Sequence, residues 1–279
     1  ENIYASIGGR NDIHTTAGDE QSYRATIAYK LNGNSKIRVS YGTGFLFPAL
    51  YDGHAYGWSN AVKDDVNAEK TTSFDLGYET YFDSLNLDFN ITYFDINVED
   101  PIVGLNSMQQ NLKAAHNTSR GIELAINWNA KENLNVNFNY TLTDSYSGMD
   151  CDKPDKDTYG YNSCVDSNND GIGNVDNAMV RVPVHAISSK IDYKINNDLN
   201  TSLLIKYRGQ TRDYGGTDQG FKDQLLDEYL LLDLLSSYNL GDGYNANLSV
   251  KNVFDKDYEN SYKYTGTPRT VNIGLNKKF

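Results

Sequence analysis

No stretch of about 18 or more apolar residues occurs in this chain of 279 residues, so no transmembrane helix can be drawn in it. Basic residues are in the minority, 25 Lys and Arg against 37 Asp and Glu, for a formal net charge of −12. Nucleic acid demands a basic footprint, so no nucleic-acid partner is expected. His14, His54, His116 and His185 are scattered and form neither an H-x-x-x-H pair nor a Ser–His–Asp grouping. Triad members need not be near in sequence, so this argues only weakly against catalysis. Cysteine is limited to Cys151 and Cys164, and tryptophan to two residues. No basic signal peptide opens the chain. Glu1 is followed at once by the strand-like Ile3-Tyr4-Ala5-Ser6-Ile7. The chain therefore reads as a fragment or processed product of something longer.

What is present is alternation. Leu85, Leu87, Phe89, Ile91 and Tyr93 fall on one face, and Asn86, Asp88, Asn90 and Thr92 on the other. That is a period-2 strand with one greasy and one wet side. Strands are predicted at 2–10, 21–31, 35–43, 69–82, 85–98, 116–129, 134–146, 183–195, 199–213, 227–240, 244–252 and 269–279. A mean hydropathy of −0.61 is compatible with a membrane wall, because only alternate residues of a barrel strand meet lipid. The 22 tyrosines, many near strand ends, suit a membrane interface as well as a strand.

The predicted connections fall into two sets. Short ones are 32–34, 83–84, 130–133, 196–198 and 241–243, rich in the Gly, Asn and Asp that tight hairpins require. Long ones are 11–20, 44–68, 99–115, 147–182, 214–226 and 253–268. The sets alternate, as in an antiparallel meander that crosses a bilayer with turns at one end and loops at the other. A soluble sandwich or propeller would have strands of about 5–6 residues and no such division of its loops. The expected fold is an all-β transmembrane barrel wall of about twelve strands in the bacterial outer membrane, in contact with the lipid bilayer and lipopolysaccharide. Val271, Ile273, Leu275 and Phe279 of the last strand share a face with Lys277, a pattern similar to the terminal signal of outer-membrane barrels.

Four segments, in order, carry a resemblance to a known family. Ser40-Tyr41-Gly42-Thr43-Gly44-Phe45 with Pro48 and Leu50-Tyr51 resembles the mid-barrel S-Y-G-x-G-F-x-x-P-x-L-Y segment of TonB-dependent outer-membrane receptors. Thr71-Thr72-Ser73-Phe74-Asp75-Leu76-Gly77-Tyr78 and Ser119-Arg120-Gly121-Ile122-Glu123 resemble the two strand patterns that follow. Lys251-Asn252-Val253-Phe254-Asp255-Lys256-Asp257-Tyr258, then Pro268-Arg269-Thr270 and a strand to Phe279, resembles the family's C-terminal end. The resemblance implies a 22-strand barrel of which residues 1–279 are one C-terminal portion, a single domain lacking the plug and the TonB-contacting segment. It implies uptake of a ferric siderophore, haem or cobalamin, energised by TonB through the missing N-terminal region. No catalytic residues follow from it. The alternative is a free-standing twelve-strand pore or barrel enzyme, and a third reading is a structural surface barrel or adhesin.

Ligand contacts are expected from the long loops. Candidates are Tyr51, His54, Tyr56 and Trp58, then Tyr159 and Tyr161, then Tyr214 with Phe221 and Tyr229 beside it, since aromatics in a mouth can pack on a large chelate. Each could equally belong to an interfacial girdle or to loop packing. Arg24, Lys30, Arg38, Lys206 and Arg208 are expected to face a plug or a solvated lumen. Loop 147–182 carries Asp166-Ser167-Asn168-Asn169-Asp170-Gly171, alternate oxygen ligands before a glycine, with Asp176 beyond. This spacing fits a Ca2+ loop, although Asn177 stands where a full EF-hand has its bidentate Glu. A solvated run of turns gives the same composition. Cys151 and Cys164 share this loop, and in an oxidising compartment they are expected to form a disulfide.

Overall fold

The computed structural model describes residues 2–14, 18–49, 67–105, 108–111, 115–149, 177–213 and 224–278. The first strands are β1 (Ile3–His14), β2 (Gly18–Lys30), β3 (Ser35–Leu46), β4 (Glu69–Phe82) and β5 (Leu87–Glu99). The short β6 (Ile102–Leu105) and β7 (Met108–Asn111) follow, then β8 (Ala115–Lys131), β9 (Leu134–Met149) and the two-residue β10 (Asn177–Ala178). Next come β11 (His185–Lys194), β12 (Leu199–Arg208), β13 (Thr211–Asp213) and β14 (Gln224–Leu226). The chain finishes with β15 (Tyr229–Gly241), β16 (Tyr244–Lys251), β17 (Glu259–Ser261), β18 (Tyr264–Thr265) and β19 (Thr270–Lys277).

The long strands lie side by side in the order β1-β2-β3-β4-β5-β8-β9-β11-β12-β15-β16-β19, each antiparallel to its neighbour, with β10 against the end of β9. This is the twelve-strand meander that the alternation predicts. The remaining short strands form three separate ribbons, β6-β7, β13-β14 and β17-β18, all on the connections of the long-loop end.

The register shows how the wall is built. One pairing row runs Phe82, Leu87, Trp128, Val136, Ile191, Leu203, Leu234, Val250, Val271, apolar at every step. It starts at a short hairpin between β4 and β5 and ends at the long-loop end of β16 and β19. A perpendicular row that climbs from one end of the wall to the other means that the strands are staggered, hence tilted, as a barrel wall requires. The opposite face carries polar rows, one being Asp88, Asn127, Asn137, Lys190, Leu204, Asp233.

The wall has almost no conventional core. Among the described residues the buried aliphatic and aromatic side chains are Ala68, Leu226 and Tyr229. Large apolar side chains on the outer face stay uncovered, such as Ile7 at 89%, Ile273 at 83% and Leu275 at 65% exposed. Apolar surface on this scale needs lipid as its partner. Trp128 donates its indole N–H to the Leu85 carbonyl at 3.0 Å near the short-hairpin end, so its polar edge is satisfied where the ring meets the interface.

The short hairpins use the residues expected of them. Asn86, Asp242, Gly241 and Gly243 all have positive φ. The Asn196 side-chain oxygen accepts from the backbone N–H of Asp198 and Leu199.

Two expectations need correction. The strand predicted at 199–213 breaks after Arg208, and 211–213 leaves the wall to pair with 224–226. Buried Gly209 is the pivot, its N–H donating to the His185 carbonyl at 2.8 Å. The loop expected at 11–20 is mostly strand, because β1 and β2 stay paired out to His14 and Gly18. Polar residues at the exposed end of a wall need not alternate with apolar ones, so the strand ends there were invisible to a period-2 reading.

Candidate ligand-facing wall and loop node

On the polar face of β9, β11, β12 and β15 a hollow of about 610 Å³ opens toward the long-loop end. Three register rows line it: Thr141, Ala186, Arg208, Tyr229; then Asn139, Ser188, Lys206, Leu231; then Asn137, Lys190, Leu204, Asp233. Amides, hydroxyls and three cations share the lining with Ala186, Ile187, Leu204, Ile205 and Leu231, and apolar atoms make up most of its surface. Lys190 pairs with Asp192 at 2.9 Å. Asp233 accepts the backbone N–H of Asn252 at 2.7 Å. Lys206 has no carboxylate or hydrogen-bond partner among the described residues, and its ammonium is free for whatever occupies the hollow.

The other cations anticipated on this face behave differently from one another. Lys30 donates to the Tyr4 hydroxyl at 3.2 Å and lies 4.9 Å from that ring's centroid. Arg38 lies near Glu79 at 3.7 Å, beside the closer Lys36–Glu79 pair at 2.7 Å. Arg208 is held as a strut, donating to the Asn260 carbonyl at 3.0 Å and the Arg181 carbonyl at 3.1 Å. Arg24, like Lys206, is exposed and has no ionic partner among the described residues.

Above the hollow, three connections meet. Asp213, 0% exposed, accepts from Arg181 Nε at 2.8 Å and from the backbone N–H of Tyr262 at 2.7 Å. The Arg181 N–H donates to the Arg212 carbonyl at 2.7 Å. Tyr229 donates its hydroxyl to Asn260 Oδ1 at 3.0 Å, and its ring lies 4.6 Å from that of Tyr258. Gly266 fits beneath Tyr258, where a Cβ would fall inside the ring, 2.0 Å from its Cζ. Tyr229, expected at the mouth as a ligand aromatic, is instead 3% exposed and spent on packing.

The remaining site candidates lie outside the described residues. These are Tyr51, His54, Tyr56, Trp58, Tyr159, Tyr161 and Tyr214, the calcium candidates Asp166, Asn168, Asp170 and Asp176, and Cys151 with Cys164. Among the described residues no three of His, Cys, Asp and Glu are grouped to hold a metal ion. His185 stands on the outer face, within 2.9 Å of the Tyr140 hydroxyl, and His116 packs edge-on against Tyr146. Sequence reasoning missed Arg181, Asp213, Asn260 and Tyr262. Asp213 lies 32 residues from Arg181 and 49 from Tyr262, and no local spacing advertises such contacts.

A staggered antiparallel wall, apolar outside and polar inside, with the described parts of three long connections meeting at one rim, is also what known proteins match. Residues 1–253 match the family described as TonB dependent receptor-like, beta-barrel. The chain belongs to that family. As a TonB-dependent receptor barrel it is an outer-membrane protein. Among curated relatives, the vitamin B12 transporter BtuB of Vibrio cholerae serotype O1 is 19% identical over 275 residues, covering 97% of this chain and 39% of the relative. Among solved structures, the siderophore receptor PirA of Acinetobacter baumannii has a TM-score of 0.74 at 17% identity, covering 100% of this chain and 44% of that one. The ferripyoverdine receptor of Pseudomonas aeruginosa has a TM-score of 0.72 at 16% identity, covering 98% of this chain and 36% of that one. At such identities the likeness is one of fold. The TonB-dependent receptor barrel seen here spans well under half of each of these proteins, and β1 and β19, the ends of its strand path, are not paired with each other.

Proposed function

We propose that this chain is the C-terminal part of the barrel of a TonB-dependent receptor, supplying wall and loops for uptake of a ferric siderophore or cobalamin. The observation that carries this reading is the hydrated, cation-bearing inner face under a tied set of loops, in a chain of this family. A solute crossing a hydrocarbon layer needs a polar path, and alternate strand residues provide one only if the lumen is open or holds a removable filling. The inner face offers amides, hydroxyls and the free cations Arg24 and Lys206, suited to a polar filling or a polar solute. The outer face offers no route. The wall cannot drive transport by itself, so TonB acts through the part of the receptor beyond residues 1–279. Named relatives bind vitamin B12 or siderophores, which makes these the first ligands to test.

In this reading Tyr51, His54, Tyr56, Trp58, Tyr159, Tyr161 and Tyr214 contact ligand at the mouth. Asp166, Asn168, Asp170 and Asp176 hold Ca2+ in the acidic loop, and the Cys151–Cys164 disulfide braces that loop. The test is a binding screen of the full-length receptor against ferric catecholates, ferric hydroxamates, haem and cyanocobalamin, each with Ca2+ and with chelator. One ligand should bind in the micromolar range or tighter and support growth only in cells with functional TonB. Growth on that ligand independent of TonB would point to an open pore and defeat the proposal. Equal binding with Ca2+ and with chelator would remove calcium alone.

A further inference from the structure

We infer that the buried carboxylate of Asp213 latches three extracellular connections into one body, so that they release together rather than one by one. The inference concerns motion at the rim and does not depend on which solute the receptor carries.

Asp213 sits at the end of the β13 ribbon, which has left the wall after Gly209. Its carboxylate is completely buried and takes one hydrogen bond from each of two other connections. Arg181, from the segment that precedes β11, approaches one oxygen, and the Tyr262 N–H, from the tip of the β17-β18 hairpin, approaches the other. A charge removed from water is tolerable only while its partners stay in place. Withdrawing Arg181 therefore does more than loosen a single contact. It takes a cation away from a buried charge, which regains water by moving out, and the Tyr262 N–H is then released as well.

The backbone supports the same reading. Arg181 and Lys263 adopt φ of +65° and +64°, a left-handed conformation that costs energy in residues with a Cβ and persists where surrounding contacts hold it. Arg208 fastens the assembly to the wall, bonding the Arg181 carbonyl on one side and the Asn260 carbonyl on the other. Asp213 is thus a positioning residue, acting through Arg181 and Tyr262.

The test is hydrogen exchange, read by mass spectrometry on the full-length receptor in detergent micelles. Arg181→Ala is the decisive variant, because its side chain is 56% exposed and its loss removes little packing. Exchange in 179–184 and in 258–266 should both accelerate about tenfold, with 187–194 in the wall unchanged. Acceleration confined to 179–184 would show independent loops and overturn the inference. Acceleration that spreads to 187–194 would show that the node braces the wall, and would overturn it too. Asp213→Asn keeps one acceptor oxygen and should again release both segments. If that variant fails to assemble, Arg181→Ala still decides.

Discussion

Asn252 shows what a single motif residue does in this wall. It is 4% exposed and adopts φ of +49°, a conformation that asparagine tolerates better than most residues. Its amide donates to the Lys256 and Thr267 carbonyls at 3.0 and 3.1 Å, and its side-chain oxygen accepts the Lys256 N–H at 2.9 Å. Three residues on, Asp255 accepts the Arg269 backbone N–H at 2.7 Å, and the Arg269 guanidinium reaches back to the Val253 carbonyl. The Asn-Val-Phe-Asp and Pro-Arg-Thr segments are therefore the two halves of one clamp that returns the chain from β16 to β19. Replacing Asn252 by Ala removes three hydrogen bonds that a buried side chain makes to the backbone and should cost about 2–4 kcal/mol. Asn252→Asp should cost as much, because a carboxylate cannot donate to two carbonyls. Urea unfolding of the full-length receptor in micelles measures both, and wild-type stability in Asn252→Asp would contradict this account. Gly121 in the Ser-Arg-Gly-Ile-Glu segment has a different reason to be glycine: a Cβ there would lie 1.9 Å from the Leu142 carbonyl oxygen.

A strand of this wall has two unlike faces, so neighbouring positions should respond oppositely to charge. Leu203 sits midway along β12 in an outward row with Ile191, Leu234 and Val250. An arginine at the middle of a lipid-facing strand costs about 2–4 kcal/mol, so Leu203→Arg should reduce the folded fraction sharply. Lys206, on the opposite face of the same strand, loses only a solvated charge, and Lys206→Ser should stay within about 0.5 kcal/mol. Heat-modifiable gel migration after refolding separates the two. Equal sensitivity at both positions would mean that both faces meet the same medium. The alternation of Leu203, Ile205 and Tyr207 with Lys206 and Arg208 along β12 makes this contrast readable without coordinates. The departure of 211–213 from the wall is marked only by Thr211 and Asp213 falling on the outward parity of Leu203 and Ile205, where polar groups do not suit lipid, and the Gly209 pivot that diverts them shows only in the fold.

For the whole molecule the decisive fact is that β1 and β19 do not pair with each other. Each leaves a row of N–H and C=O groups without a partner strand, which is untenable in hydrocarbon. In the proposed receptor the remaining strands close that gap. Residues 1–279 expressed alone should therefore fail to give a heat-resistant folded band in micelles, whereas the full-length receptor should give one. A heat-resistant band from 1–279 alone would favour closure into a smaller barrel. The exposed outer face fits the same picture: Ile7, Ile27, Leu76 and Ile273 are open to the surroundings on strands from one end of the path to the other.

Alternation, turn residues and four ordered segments determined by themselves that this chain is an antiparallel wall of a TonB-dependent receptor, with its short hairpins at one end. They suffice because a two-residue period assigns every side chain to a face, and a bilayer beside water rewards only one such assignment. Tertiary structure alone decided which side chains are free and which are committed. Lys206 and Arg208 lie two residues apart on one face, yet one is open to a partner and the other is a strut. Tyr229 lies in the packing rather than the mouth, and Asp213 gathers groups from 32 and 49 residues away. Such contacts depend on the stagger of the wall and on where its loops meet, and the period of a strand carries no information about either.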